Sequence, residues 1–204
     1  MLERRTALTG VLKCSGRDGS DGQRQLCVGE VSDWALLELA GFPGLEKELA
    51  HTLQSYLGTD PPARVGVAET LRGLQWFKTG PAQFWIIADA QEQTLEELTG
   101  AVAPTLCACT WLSHSRTCIF IEGEAAREVL ARGVAIDLHP DVFEIDHYAL
   151  TALQGTPVMI HRRSADRFHL YVMRSFALTI WDWLTDAAWP FGYDIELRAS
   201  STVE

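Results

Sequence analysis

The sequence predicts an α+β protein built as two tandem ferredoxin-like lobes of the βαββαβ type, and three observations carry that reading. The first is a strand, tight turn, helix and polar stop in SHSRTCIFIEGEAAREVLARGVAIDLHP, residues 113 to 140. The second is an element order, strand, helix, strand, strand, helix, strand, that fits residues 25 to 112 and is approached again in residues 113 to 198. The third is composition: 204 residues, 47% hydrophobic and 22% charged, are enough to bury a core in one domain or two small ones. Residues 1 to 24 form an extended arm outside this scheme, and residues 199 to 204 a tail.

The unit at residues 113–140 sets the pattern. Cys118 and Phe120 fall on one face of a strand and Ile119 and Ile121 on the other, so both faces are apolar and the strand is interior. Gly123 opens a short helix with Ala126, Val129 and Leu130 inward, and Gly133 is expected to stop it in the left-handed conformation.

In chain order, the arm carries CSGRDGSDG with turn residues and no apolar period. Gly16, Gly19 and Gly22 do not match G-x-G-x-x-G, so a surface loop is favoured over a phosphate loop. Strands are expected at Leu26 to Val31 and Trp34 to Leu39. A helix follows from Gly44 to Leu57, with Leu45, Leu49, Leu53, Tyr56 and Leu57 at helical spacing and Gly58 at its end. Leu71 to Phe77 and Gln83 to Ala88 read as a hairpin turning at Lys78-Thr79-Gly80-Pro81. Thr94 and Glu97 have the spacing of a capping box for a helix to Ala103, and Thr105 to Leu112 is the next strand. The second lobe adds a hairpin, Ala149 to Leu153 with Val158 to Arg163, and a strand from Phe168 to Met173. A helix is expected from a Ser175 cap, with Phe176, Ile180, Trp183, Leu184 and Ala187 inward, and the strand Tyr193 to Leu197 closes the lobe.

Charge and motifs exclude several function classes. A net charge of -10 argues against nucleic acid, whose phosphates demand Lys and Arg. No apolar run reaches the roughly 20 residues that span a bilayer, and the N-terminus lacks a secretory signal, so a cytoplasmic protein is expected. Five cysteines fit reduced thiols. Cys107, Cys109 and His114 are candidate zinc ligands, but Cys107 and Cys109 at period two on an apolar strand fit small hydrophobes better. Ser113, His114 and Ser115 hold a nucleophile beside a base, yet strand neighbours point to opposite faces. Asp137, His139, Asp141, Glu144, Asp146 and His147 form the densest polar cluster, a solvated loop rather than a known ligand set. Arg162, Arg163 and Arg167 read as an exposed hairpin end. RFHLYVMR lacks the Gly and aromatic pattern of an RNA-binding sheet.

The segments SHSRTCIFIEG, AREVLARGVAIDLHP and FHLYVMRSFALTIWDWL, with GYDIEL and GPAQFWIIAD, resemble the gamma subunit of heterotetrameric sarcosine oxidase over about Leu71 to Leu197. Small subunits of N-methylglutamate dehydrogenases are similar. The resemblance implies the fold of the front part of folate-dependent aminomethyltransferases and an assembly with alpha, beta and delta subunits that removes an N-methyl group oxidatively. It further implies that FAD, FMN, NAD, zinc and tetrahydrofolate sit in the other subunits, with no cofactor on this chain, and it transfers no catalytic residue. The competing reading is a stand-alone folate-binding aminomethyltransferase-like protein. On the last long helix, Leu178, Trp181 and Trp189 fall off the expected inner face and are the candidate subunit contact.

Overall fold

The computed structural model describes residues 6–12, 16–89 and 92–199. The early elements are β1 (Leu26–Ser32), β2 (Trp34–Gly41), α1 (Glu46–Leu57), β3 (Glu69–Leu71), β4 (Leu74–Gly80), β5 (Gln83–Asp89), α2 (Glu92–Ala101) and β6 (Cys107–Trp111). The later ones are β7 (Arg116–Glu122), α3 (Ala126–Ala131), β8 (Tyr148–Leu153), β9 (Thr156–Arg162), β10 (Arg167–Met173), α4 (Ala177–Ala188) and β11 (Tyr193–Ala199). The described chain divides into two units: Asp33 to His114 form one, and the residues up to Ser32 together with those from Ser115 form the other.

In the unit from Asp33 to His114, the strands lie in the order β3-β4-β5-β2-β6, all pairs antiparallel. With β3 set aside as an added edge, this is βαββαβ with its fourth, first, third and second strands side by side. The helices cover one face. Leu37 and Leu39 of β2, Leu49 and Leu53 of α1, Trp76, Ile86, Leu95 and Leu98 share the core, and the Trp76 and Phe84 rings meet edge to face at 5.8 Å. In α1, Glu46 and Glu48 place negative charge in the first turn, where the helix dipole favours it. Its end is set by Gly58, left-handed at φ 76°, whose N–H donates to Gln54 O.

The second unit has a six-stranded sheet, β11-β1-β7-β10-β9-β8. Taking β7, β9, β10 and β11 as the four strands of a second βαββαβ gives the same fourth-first-third-second order, but with β1 inserted between β11 and β7. β1 runs parallel to β11 and antiparallel to β7. The strand expected to open the first lobe therefore belongs to the second unit's sheet. As expected, β7 is interior, with Thr117 to Ile121 all buried. Ile119 and Ile121 face the core formed with α3 and α4.

The described part of the N-terminal arm is likewise fastened to this unit. Leu8 is fully buried, and the N–H groups of Ala7 and Leu8 donate to the Glu30 carboxylate at 2.9 and 3.0 Å. Arg17 pairs with Tyr193 through two backbone bonds of 2.7 and 2.8 Å. An arm carrying few apolar residues is held by carboxylate and backbone bonds, which period-based reading does not register.

Four local expectations are corrected. The first hairpin turns two residues later than expected, at Pro81-Ala82, with a bulge between Lys78 and Gly80. α2 begins at Glu92, so Thr94 lies inside the helix and caps nothing. Gly133 is absent from the positive-φ glycines; a Cβ there would lie 2.5 Å from the Trp183 ring, so close packing, not a left-handed cap, calls for glycine. Arg174 to Phe176 form a 3-10 turn and α4 starts at Ala177 without a side-chain cap. The fully buried stripe of α4 is Ala177, Ile180, Trp181, Leu184 and Ala188, while Trp183 and Ala187, expected inside, are half-buried against the same core.

Candidate subunit-contact site

The buried stripe of α4 decides the fate of its three candidates. Trp181, expected outside, is 4% exposed and belongs to the core. Leu178 and Trp189 are 51% and 49% exposed, and Phe176, expected inside, stands with Leu178 at the exposed start of the helix. Arg17 from the N-terminal arm stacks over the Trp189 ring at 4.2 Å, covering one face of the indole and leaving the rest in solvent. Apolar side chains at the start of α4 and just past its end thus face outward while its middle is anchored inward.

On the face of the six-stranded sheet away from α3 and α4, the pairing register sets Glu196, Gly29, Phe120, His169, His161 and Tyr148 in one transverse row. His161 and His169 are directly cross-strand, and both are buried. Burial pushes the His161 imidazole down to about 4, partly offset by Asp146 at 3.6 Å. Burial, then the charges of Arg163 and His161, hold His169 well below the usual imidazole range. His169 Nε2 makes no hydrogen bond among the described residues. Two neutral imidazoles therefore occupy the middle of the sheet at neutral pH. Beside them, Glu122 accepts from Arg167 at 2.8 Å and from Arg198. Burial raises the Glu122 carboxyl, but the two guanidiniums hold it below the usual carboxylate range. Arg198 also bonds Glu196 at 2.6 Å and lies 4.4 Å over Phe120. His161 and His169 were not singled out in the sequence. The available signal was a histidine within each of two largely apolar strands, TPVMIHR and RFHLYVM, that pair as a hairpin.

The remaining candidates resolve into structural roles. Cys107 and Cys109 share a face with sulfurs 3.8 Å apart, and burial pushes the Cys107 thiol up to about 12, with Cys109 adding to the shift. Burial likewise raises Cys27 to about 12; these two thiols are protonated, not nucleophilic, near neutral pH. Among the described residues no group of three His, Cys, Asp or Glu is placed to hold a metal. Ser113, His114 and Ser115 lie in a turn, not on a strand end. Ser113 Oγ accepts from Leu36 N at 3.0 Å, which commits it to the backbone. Asp137, His139 and Asp141 form local turn bonds, and His147 lies edge-on to Phe143. Glu144 is exposed, and Asp146 meets the buried His161 at 3.6 Å. Arg162 is not an exposed hairpin end. It is buried and donates to Phe143, Ser164 and Ala165 carbonyls at 2.7 to 3.1 Å, tying the preceding loop to the hairpin. Of the arm's glycines, Gly19 and Gly22 belong to a turn that leads into β1 and not into a helix.

The fold places the chain in a class first. It superposes on glycine cleavage system aminomethyltransferase T from Bartonella henselae with a TM-score of 0.64 over 86% of this chain and 48% of that one; at 16% identity this is a likeness of fold. It also superposes on a chain of the heterotetrameric sarcosine oxidase from Corynebacterium sp. U-96, solved with pyrrole 2-carboxylate. There the TM-score is 0.76, the identity 26%, and the coverage 92% of this chain and 96% of that one. The sarcosine oxidase gamma subunit family matches residues 45–189, and the chain belongs to that family. Among its relatives, sarcosine oxidase subunit gamma of Corynebacterium sp. (strain U-96) is 30% identical over 81% of this chain and 80% of its own length. The corresponding subunit of an Arthrobacter species is 30% identical over 68% and 69%.

Proposed function

We propose that this chain is the gamma-type, non-catalytic structural subunit of a heterotetrameric flavoenzyme that oxidatively demethylates sarcosine or a similar N-methyl amino acid. The observation that carries the reading is the family match over residues 45–189, supported by superposition on 96% of a chain from a heterotetrameric sarcosine oxidase. Its partners are the alpha, beta and delta subunits, which hold FAD, FMN, NAD, zinc and tetrahydrofolate, while this chain binds none of them and works in the cytoplasm. Among the described residues no helix is long and apolar enough to cross a membrane. Leu178 on α4 and Trp189 just beyond it are the subunit contacts. Thiols held protonated, a serine bonded to backbone and two enclosed imidazoles suit a chain that supports chemistry rather than performs it.

The test is co-expression with the genes that flank this one, purification through a tag on this chain, and assay of substrate-dependent formaldehyde and peroxide. Three further chains should co-elute, and sarcosine should be oxidised. Oxidation of N-methylglutamate without peroxide would reassign the assembly to the dehydrogenase type. Elution of this chain alone, with tetrahydrofolate bound, would replace the proposal by the stand-alone folate-binding reading.

A further inference from the structure

We propose that β6 is an open docking edge onto which an extended, uncharged segment of a partner subunit adds as a further strand. The inference rests on the subunit reading above and specifies where one partner engages.

β6 closes one side of its sheet, paired only with β2. Phe42 N donates to Leu106 O at 3.0 Å and Leu112 N to Leu36 O at 2.8 Å, which marks those two residue pairs as the hydrogen-bonded kind. Alternation along an antiparallel ladder then turns the N–H and C=O of Cys107, Cys109 and Trp111 away from β2. These outward groups make no hydrogen bond among the described residues. The side chains leave the edge equally open: Ala108, Cys109, Thr110 and Trp111 are all exposed, and Trp111 is 44% exposed.

Edges are ordinarily blunted by charge, shortness, a covering segment or a bulge, and the other edges show such devices. β3 has three residues. β11 carries Asp194, Glu196 and Arg198 and is met by Arg17. β8 is bridged at its end by Val134. β6, CACTW, has no charge, no proline and no bulge in its register. An uncovered neutral edge invites pairing, and a chain whose solved relative belongs to a heterotetramer has other subunits to supply the strand. Main-chain bonds would give such a contact its register, and an apolar residue opposite Trp111 would cover the exposed part of the indole.

Cys109→Pro tests the inference because it removes an outward N–H and spares the bonds to β2. In the co-expressed assembly, Cys109→Pro should lower recovery of partner chains about tenfold or more, while Cys109→Ala assembles as the parent does. The isolated Cys109→Pro chain should keep the parent's circular dichroism spectrum. If it fails to fold, hydrogen exchange of residues 105–112 in the parent decides: these amides should exchange about tenfold or more slowly in the assembly than in the isolated chain. Equal exchange in both, or assembly of a folded Cys109→Pro chain at parental yield, overturns the docking edge and leaves the subunit reading intact. A parent chain that captures no partner overturns both. A dimer of the isolated chain that Cys109→Pro dissociates overturns the partner-subunit occupant in favour of a second copy.

Discussion

Glu30 is 2% exposed, and its carboxylate accepts from Ala7 N, Leu8 N and Thr117 Oγ1, the last at 2.5 Å. Three donors from two segments make this residue the clasp that holds the N-terminal turn to β1 and β7. Glu30→Ala would strand buried donors, and a loss of about 3 kcal/mol in urea unfolding is expected; a loss below about 0.5 kcal/mol would refute the clasp. His161 carries a different prediction. It stays neutral in the folded chain down to about pH 4 but titrates near 6.5 when unfolded. Between those values the unfolded chain binds the extra proton. The stability it contributes is therefore complete above about pH 6.5 and falls as pH drops towards 4, by at most about 1.4 kcal/mol per pH unit for this group. Urea midpoints at pH 7.5, 5.5 and 4.5 should decline in that order, and His161→Gln should flatten the decline. A single histidine in an apolar strand does not announce this role in the sequence, because its partner across the ladder, His169, is set by strand pairing.

At the scale of elements, α4 shows how a correct period can carry an incorrect phase. Apolar residues at helical spacing marked the helix plainly, but its most buried stripe is Ala177, Ile180, Trp181, Leu184 and Ala188; Trp183 and Ala187 are half-buried against the same core and Phe176 is exposed. Trp181→Ala should cost about 3–5 kcal/mol as a core truncation, whereas Leu178→Asp should change stability by no more than about 0.5 kcal/mol. In the assembly the order reverses in meaning: Leu178→Asp should weaken subunit recovery without unfolding the chain. Gly133 is the neighbouring constraint. Gly133→Ala should cost about 1–3 kcal/mol through overpacking against Trp183 and Leu153, read as a lower urea midpoint with unchanged slope.

The whole molecule is organised by the crossing of β1 from the N-terminal segment into the sheet built by residues 116 to 199. Between β11 and β7, β1 has seven ladder partners on one side and five on the other. Its Leu26 and Val28 enter the core and are buried. A chain beginning at Asp33 should therefore lose the second unit's fold, with residues 115–199 cleaved readily by protease, while residues 33–114 keep a complete βαββαβ and resist. Equal resistance of both segments in the shortened chain would refute this dependence.

Local chemistry determined the elements. Strand-like apolar runs placed β1, β2, β5 and β7, alternation placed β11, helical spacing and Gly58 placed α1, and the order strand, helix, strand, strand, helix, strand predicted the two tandem units that the strand orders show. It also carried the family likeness that the match over residues 45–189 bears out. Tertiary structure alone decided the placement of β1, the burial of Trp181 and Arg162, the facing of His161 and His169, and the uncovered edge of β6. Each depends on which distant segments of the chain meet. A strand's pattern states that it has buried faces but not which neighbours bury them, because ladder bonds are made by backbone groups that every residue but proline supplies alike.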